Sequence, residues 1–191
     1  MSDDPNRHHR QSIRLRGYDY TQAGAYFVTI VAHERACLFG EIVDDVMHVN
    51  DAGRMVDAAW TALPQRFPAI ELDACIIMPN HLHGIIVVVG ATLVVAHDAM
   101  VAPVAVGVPD RAGTSPAPTL GDIVGAFKSI TTHAYIQGVH HQGWPPFNQR
   151  VWQRNYYDHI IRNERDLNRI REYISHNPLK RTLDSEYPGV Q

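Results

Sequence analysis

The sequence predicts an α+β sandwich in which helices cover one face of an antiparallel sheet. Three observations predict it. Strand-like segments alternate with helical ones in the order strand, helix, strand, strand, helix, strand, helix; no internal repeat is present; and no glycine-rich phosphate loop follows any strand. With 191 residues, of which 45% are hydrophobic and 19% charged, the chain can bury a real core as one domain. These values exclude wholesale disorder and a disulfide-dense miniature.

Two extended segments and a helix come first along the chain. Residues 25–32 (AYFVTIVA) are rich in β-branched and aromatic side chains, which favours a buried strand. Residues 41–49 alternate partly and are interrupted by two aspartates at 44–45, which predicts a hairpin-like excursion. Asn50 then offers a helix cap, and apolar residues recur at helical spacing until Pro64, where we expect the helix to stop.

Two further strands and a long insertion follow. Residues 70–78 and 81–89 are apolar and β-branched, with a Pro-Asn pair between them, so we expect adjacent strands of one sheet. Residues 90–118 change to Ala, Val, Gly and Pro and lose any period of 2 or 3.6. We interpret this segment as a low-complexity insertion in a single domain.

The last part of the chain predicts a helix, a strand and a helix. Residues 120–136 regain helical spacing, and Gly138 is expected to end that helix. Residues 151–161 carry large aromatic side chains that favour an extended strand. A last helix is expected to begin at Asn163 and to stop before Pro178. The whole order of elements is that of a ferredoxin-like sandwich.

Charge is distributed unevenly, although the formal net charge is only −3. Four of the 17 Lys and Arg residues lie within residues 7–16 and eight lie within residues 150–181. Such clusters are either a solvated surface or a surface that follows a nucleic-acid backbone. Composition alone does not choose between these two interpretations.

Cysteine usage and hydropathy exclude two other classes of protein. Cys37 and Cys75 form no CxxC pattern, which fits a reducing compartment and excludes a cysteine-built zinc site. The first ten residues have no apolar core of a signal peptide, and the longest apolar run, residues 84–96, is too short to span a bilayer. We therefore expect a soluble, cytoplasmic protein that does not act at a membrane.

The segment His81-Leu82-His83 is the sharpest chemical feature of the sequence. Alternation along a strand places both imidazoles on one face and Leu82 on the other. Two imidazoles that point at one volume are a candidate metal site, although twelve histidines in the chain also make a chance pair common. A metal site therefore needs a further ligand from elsewhere.

The last predicted helix can supply that ligand. Leu167, Ile170 and Ile174 define its apolar stripe, and Tyr173 and Asn177 lie one turn apart beside that stripe. We expect both to face the sheet and to deliver a phenol and an amide oxygen together. Taken singly, each has a plainer interpretation: a tyrosine at the margin of a core, and an asparagine that ends a helix before proline.

Three segments resemble a known family. They are MPNHLHGI at 78–85, GAFKSITTHAY at 125–135 and VWQRNYYDHIIRNERDLNRIREYISHNPLKR at 151–181. In this order they resemble the single-tyrosine transposases of the His-hydrophobic-His (HUH) nuclease superfamily, and more narrowly the IS200-like branch that includes REP-associated tyrosine transposases. The resemblance implies one transposase domain over residues 1–191 with a core from about residue 15 to 181, interrupted at 90–118.

The resemblance also implies roles for individual residues. His81 and His83 match the histidines that hold a divalent cation, Asn177 matches the polar residue that completes the metal site, and Tyr173 matches the nucleophile. With phosphate as a further ligand, Mg²⁺ or Mn²⁺ is the expected ion. Tyr173 would displace a 3′-hydroxyl from single-stranded DNA and become joined to the 5′-phosphate, which a second 3′-hydroxyl could attack in turn.

The DNA partner implied by the resemblance is single-stranded with a hairpin, either a REP-like sequence or an element end. The family includes both monomers and homodimers that exchange the tyrosine helix, so either state is open. Basic side chains can follow the backbone and aromatic rings can stack on splayed bases. The expected DNA-binding residues are Arg14, Arg16, Lys128, Arg150, Trp152 and Arg154.

Three other functions remain open at this point. The chain could be a domesticated repeat-binding DNA nickase that no longer mobilises DNA. It could be a metal-dependent phosphohydrolase in which His81 and His83 activate water and Tyr173 is structural. It could also be a nucleic-acid-binding module without catalysis, for which neither metal nor His81 would matter.

Overall fold

A computed structural model of the chain describes residues 22–89 and 118–178. A short 3-10 turn covers His33–Arg35. The strands and helices are β1 (Gly24–Val31), β2 (Gly40–Val43), β3 (Val46–Val49), α1 (Asp51–Thr61), α2 (Leu63–Arg66), β4 (Ile70–Met78), β5 (His81–Val88), α3 (Leu120–Gln142), β6 (Tyr157–Ile161) and α4 (Glu164–Ser175).

The centre of the molecule is a four-stranded sheet with the order β4-β5-β1-β6, in which every neighbouring pair is antiparallel. This confirms the predicted α+β fold, and the order of these four strands is that of a ferredoxin-like sandwich. β2 and β3 form a separate hairpin. The predicted interruption lies at its turn, where Asp44 and Asp45 have φ angles of 49° and 60°.

Helices cover both faces of the sheet, whereas the sequence led us to expect them on one. The larger core joins α1 and α3 to one face, where Tyr26 and Val28 of β1 pack with Trp60 and Phe127. A smaller core joins α4 to the opposite face through Ile85 and Ile170. The reason lies in β5, whose residues are buried on both faces, as expected for a central strand. The paired histidines lie on the α4 face.

The helix α3 is longer than predicted, because Gly138 does not end it. Gly138 is buried inside the helix, and a Cβ there would lie 2.2 Å from the ring of Trp144. The glycine is therefore a point of close packing. The helix ends at Gly143, which has the left-handed φ of 69° that glycine tolerates best.

Two other predicted boundaries shift. α1 ends at Thr61, and Pro64 lies in the first turn of the short helix α2 instead of stopping α1. Of the predicted strand at 151–161, only Tyr157–Ile161 pairs along β1, and Trp152 forms a single bridge to Ala32.

Some predictions lie outside the described residues. These are the insertion at 90–118, of which only Pro118 is described, and the basic segment at 7–16. Within residues 22–89 and 118–178, no helix combines the length and the hydrophobicity that crossing a membrane requires.

Candidate active site

The two histidines of β5 point into one volume, as strand alternation predicts. The Nε2 atoms of His81 and His83 are 3.1 Å apart, and the ring centroids are 4.5 Å apart. Both side chains are buried, with 0% and 2% of their surface exposed. The sheet therefore presents two imidazoles in a T-shaped arrangement, away from bulk water.

The opposite nitrogen of each ring has a polar partner that fixes the ring's orientation. His81 Nδ1 lies 2.7 Å from the amide oxygen of Asn80, which can only accept, so His81 donates there and its Nε2 faces His83. His83 Nδ1 lies 2.9 Å from Thr29 Oγ1. Phe27 stacks on the His83 ring at 5.4 Å. Metal-binding histidines commonly have this arrangement, in which one nitrogen is anchored and the other faces the ion.

Tyr173 of α4 reaches the same volume from the helix above the sheet. Its hydroxyl lies 3.3 Å from His83 Nε2, and its ring centroid lies 5.2 Å from that of His83. The ring also packs edge-on against Phe27 at 6.0 Å. The residue is 37% exposed, so the site adjoins solvent on the side of Tyr173.

Asn177 lies just beyond α4, which ends at Ser175, so it is not on the helix as predicted. Its side chain is buried, with 1% exposed, whereas Tyr173 is partly open to solvent. The Asn177 Oδ1 atom is buried and has no hydrogen-bond partner within the described residues. A buried carbonyl oxygen without a donor costs about 1–3 kcal/mol, which a bound cation would offset.

The spacing of the two imidazoles is compatible with a divalent cation such as Mg²⁺ or Mn²⁺. Neighbouring ligands about 2.1 Å from an octahedral ion are about 3.0 Å apart, close to the 3.1 Å between the two Nε2 atoms. Within residues 22–89 and 118–178, no three His, Cys, Asp or Glu side chains are grouped so that they alone could hold a metal ion. The candidate ligands are His81, His83 and the orphaned oxygen of Asn177, a set of three that would leave positions for phosphate oxygens and water.

Apolar packing and an ion pair hold α4 on the sheet. Ile170 and Ile174 pack against Ile85 of β5, and Arg171 makes a two-pronged ion pair with Asp73 of β4. Asp73 lies where the register between β4 and β5 shifts. Its pKa is held below its ordinary value of 3.8, chiefly by the hydrogen bond from Arg171. The pair therefore anchors the helix that carries Tyr173.

We expect Asp73→Asn to weaken this anchor without unfolding the protein. An exposed pair of this kind contributes about 1 kcal/mol or less. Because the folded pKa is lowered, the contribution is present above pH 3.8 and is lost as the pH falls through the folded pKa. Urea unfolding from pH 7 to pH 3 should show the wild type and the variant converging at acid pH. A constant difference between them over this range would contradict the prediction, and the exchanged pair Asp73→Arg with Arg171→Asp should recover part of the loss.

Four of the expected DNA-binding residues line one cavity of about 400 Å³ between α3 and the segment before β6. They are Lys128, Arg150, Trp152 and Arg154. Arg154 is exposed and Arg150 is half-buried, so both can reach a backbone phosphate. Arg14 and Arg16 lie outside the described residues.

Lys128 and Trp152 have structural contacts that the sequence did not indicate. The Lys128 ammonium donates to the backbone carbonyls of Gln153 and Asn155 at 3.0 and 2.8 Å, and burial lowers its pKa to about 8. It therefore holds this segment in place, and its role in DNA binding stays a prediction. Trp152 is buried and donates its indole N–H to Thr131 at 2.8 Å, so it offers no open face to a base.

Sequence reasoning missed the residues that support the site. Thr29 pairs with His83 in the register of β1 and β5, and Phe27 lies two residues away on the same face. A polar threonine inside an apolar strand was a signal that could have been used. Asn80 directly precedes His81, but its amide orientation depends on the turn between β4 and β5. Nothing in the sequence around Asp73 indicates its ion pair with Arg171.

A comparison with solved structures identifies the fold class. The structure of a REP-associated tyrosine transposase bound to a REP hairpin aligns with a TM-score of 0.56 over 88% of this chain and 73% of that chain, at 20% sequence identity. This chain therefore has the fold of that transposase. At this identity the likeness establishes the fold alone.

Sequence comparison gives the family. An uncharacterized protein of Haemophilus influenzae is 40% identical over 183 residues, which cover 94% of each chain. The chain belongs to the same family as that protein. No family model matches the sequence.

Proposed function

We propose that this protein is a transposase that cleaves and rejoins single-stranded DNA through a 5′-phosphotyrosine intermediate. The observation that carries the proposal is the distance of 3.3 Å between the Tyr173 hydroxyl and His83 Nε2, which itself lies 3.1 Å from His81 Nε2. A possible nucleophile and a possible metal site thus share one volume. The transposase fold of the neighbouring structure supports this function.

The residues suit a transesterification. The Tyr173 oxygen attacks phosphorus, the bond from phosphorus to the 3′-oxygen breaks, and the phenolic proton is balanced by the proton that the 3′-oxygen gains. Mg²⁺ or Mn²⁺, held by His81, His83 and Asn177, would make the phosphorus more electrophilic and stabilise the phenolate. Because the phosphotyrosine ester keeps the energy of the phosphodiester, a second 3′-hydroxyl can displace Tyr173 without an external energy source.

The proposed DNA partner combines a hairpin with single-stranded flanks. The neighbouring transposase is bound to a REP hairpin, and in this chain the exposed Arg154 and the half-buried Arg150 line the cavity beside α3. We assign Arg150 and Arg154 to the DNA backbone, where each charge releases counterions from the DNA. Binding that falls steeply with added salt supports this assignment.

A single gel experiment tests the function. A 3′-labelled oligonucleotide pool, made of a hairpin stem with randomised single-stranded flanks, is incubated with protein and Mg²⁺ or Mn²⁺. We expect a labelled protein band that survives SDS, and its transfer to a longer product when an acceptor strand with a free 3′-hydroxyl is added. Cleavage without a covalent band would instead indicate a phosphohydrolase, and a band that never transfers would indicate a nickase.

Tyr173 and the two histidines meet within one chain, so we expect the enzyme to act in cis. Tyr173 reaches His83 of its own chain, although 90 residues separate them. A mixture of a His81→Ala protein and a Tyr173→Phe protein should therefore form no adduct. A helix-swapped dimer would instead restore about a quarter of the wild-type activity, because mixed dimers would contain one intact composite site. Recovery of that size in the mixture would contradict the cis assignment.

A further inference from the structure

A second cavity lies directly beside Tyr173, on the side away from His81. It has a volume of about 330 Å³, and its lining residues are Phe27, His159, Arg169, Ile170 and Tyr173. They come from β1, β6 and α4, so the cavity lies on the face of the sheet that α4 covers. The volume lies within the range of small-ligand sites, and Tyr173 forms one wall.

The polar side of this cavity is held in place by one carboxylate. Asp166 accepts from His159 Nε2 at 2.8 Å through one oxygen and from Arg169 at 2.7 Å through the other. The Asp166 side chain is only 15% exposed, whereas Arg169 is 73% exposed. The guanidinium and the imidazole are therefore oriented before any ligand binds, which lowers the entropy cost of binding one.

Two aromatic rings, those of Phe27 and Tyr173, and the aliphatic side chain of Ile170 form the apolar side of the cavity. The rings of Phe27 and Tyr173 meet edge to face at 6.0 Å and 87°, and Ile170 packs below them. Flat aromatic faces, a guanidinium plane and an imidazole are the groups on which proteins stack and hydrogen-bond unpaired bases. A phosphate alone would not need the aromatic walls.

We propose that this cavity holds the nucleobase of one nucleotide next to the scissile phosphate. This inference rests on the proposed function, because Tyr173 is both a wall of the cavity and the group that attacks the phosphate. When a phosphate lies within reach of the Tyr173 hydroxyl, the two nucleosides on either side of that phosphate lie close to Tyr173 and therefore to the cavity. Arg169 is then a specificity-determining residue that positions the cleavage point along the strand.

The test compares normal and abasic substrates in two arginine variants. A cleavable hairpin oligonucleotide is prepared with an abasic site on the 5′ or the 3′ side of the scissile phosphate, and adduct formation is measured for each. For the wild type, we expect an abasic site at one of the two flanks to lower adduct formation about 10-fold. This is the loss typical of one stacked base. In Arg169→Ala, the ratio of adduct formed with the normal substrate to adduct formed with the abasic substrate should fall at least about threefold. The reason is that the variant already lacks part of the contact with the base.

Arg165→Ala is the matched control. It removes the same charge one turn earlier on α4, and Arg165 does not line the cavity. It should lower DNA binding through its charge but keep the ratio between normal and abasic substrates. If Arg169→Ala keeps the wild-type ratio at both flanks, or if neither abasic site affects the wild type, the inference is overturned while the transposase function stands. If the wild type forms no adduct with any normal substrate, the proposed function fails, and this inference fails with it.

Discussion

Tyr173→Phe is expected to abolish the covalent protein–DNA adduct and to reduce strand cleavage at least about 1,000-fold. Phenylalanine has no oxygen to form the ester with phosphorus, so the variant lacks the hydroxyl that lies 3.3 Å from His83 Nε2. The ring contacts with Phe27 and His83 remain possible in the variant. The measurement is the SDS-resistant band, with hairpin binding followed in parallel.

The Tyr173→Phe substitution should impair the chemical step and leave folding and hairpin binding unchanged. Tyr173 is partly exposed, so removing its hydroxyl should change the free energy of unfolding by less than about 0.5 kcal/mol. Tyr157→Phe is the matched control, because Tyr157 is also an exposed tyrosine, on β6. It should form the adduct at the wild-type rate. An adduct formed by the Tyr173→Phe protein would show that another group is the nucleophile.

His81→Ala is expected to remove the response to metal and to lower cleavage at least about 100-fold. In the wild type, Mn²⁺ should raise the melting temperature, because an ion that binds only the folded state stabilises it. The variant lacks one of two imidazoles whose Nε2 atoms are 3.1 Å apart, so its melting temperature should not respond. EDTA should stop cleavage by the wild type, and added Mg²⁺ or Mn²⁺ should restore it.

Two further variants separate metal binding from a general loss of structure. His81 is fully buried, so its replacement can also destabilise the fold. Thr29→Val keeps the side-chain shape and removes only the partner of His83 Nδ1, which should weaken Mn²⁺ binding about 10- to 100-fold. His48→Ala changes an exposed histidine on β3 and should leave the Mn²⁺ response intact. An unchanged Mn²⁺ response in both His81→Ala and Thr29→Val would contradict the metal site.

Local chemistry made much of the fold predictable. Asn50 accepts from the Gly53 N–H at the start of α1, and Asn163 accepts from Asp166 at the start of α4, as cap residues do. The turn between β4 and β5 also lies where Pro79 and Asn80 predict it. These signals act over a few residues, so a sequence displays them directly.

The sequence is least informative where tertiary packing determines the contacts of a residue. Glycine is a residue type that often ends helices, which is why the sequence predicts an end at Gly138. In the structure, the ring of Trp144 occupies the space where a side chain at this position would be. Trp152 is an aromatic residue in a basic segment, and only the core shows that its face is covered. Lys128 has the charge of a phosphate ligand, yet backbone carbonyls receive its hydrogen bonds.

The sequence by itself determined that His81 and His83 share a face, because side chains of a strand alternate with a period of two. Only the tertiary structure decided that α4 covers that same face, that Tyr173 reaches His83 and that Asn177 is buried with an unpaired oxygen. The physical reason is that steric limits on the backbone act between near neighbours. The meeting of groups 90 residues apart depends on strand register and on which apolar surfaces pack together.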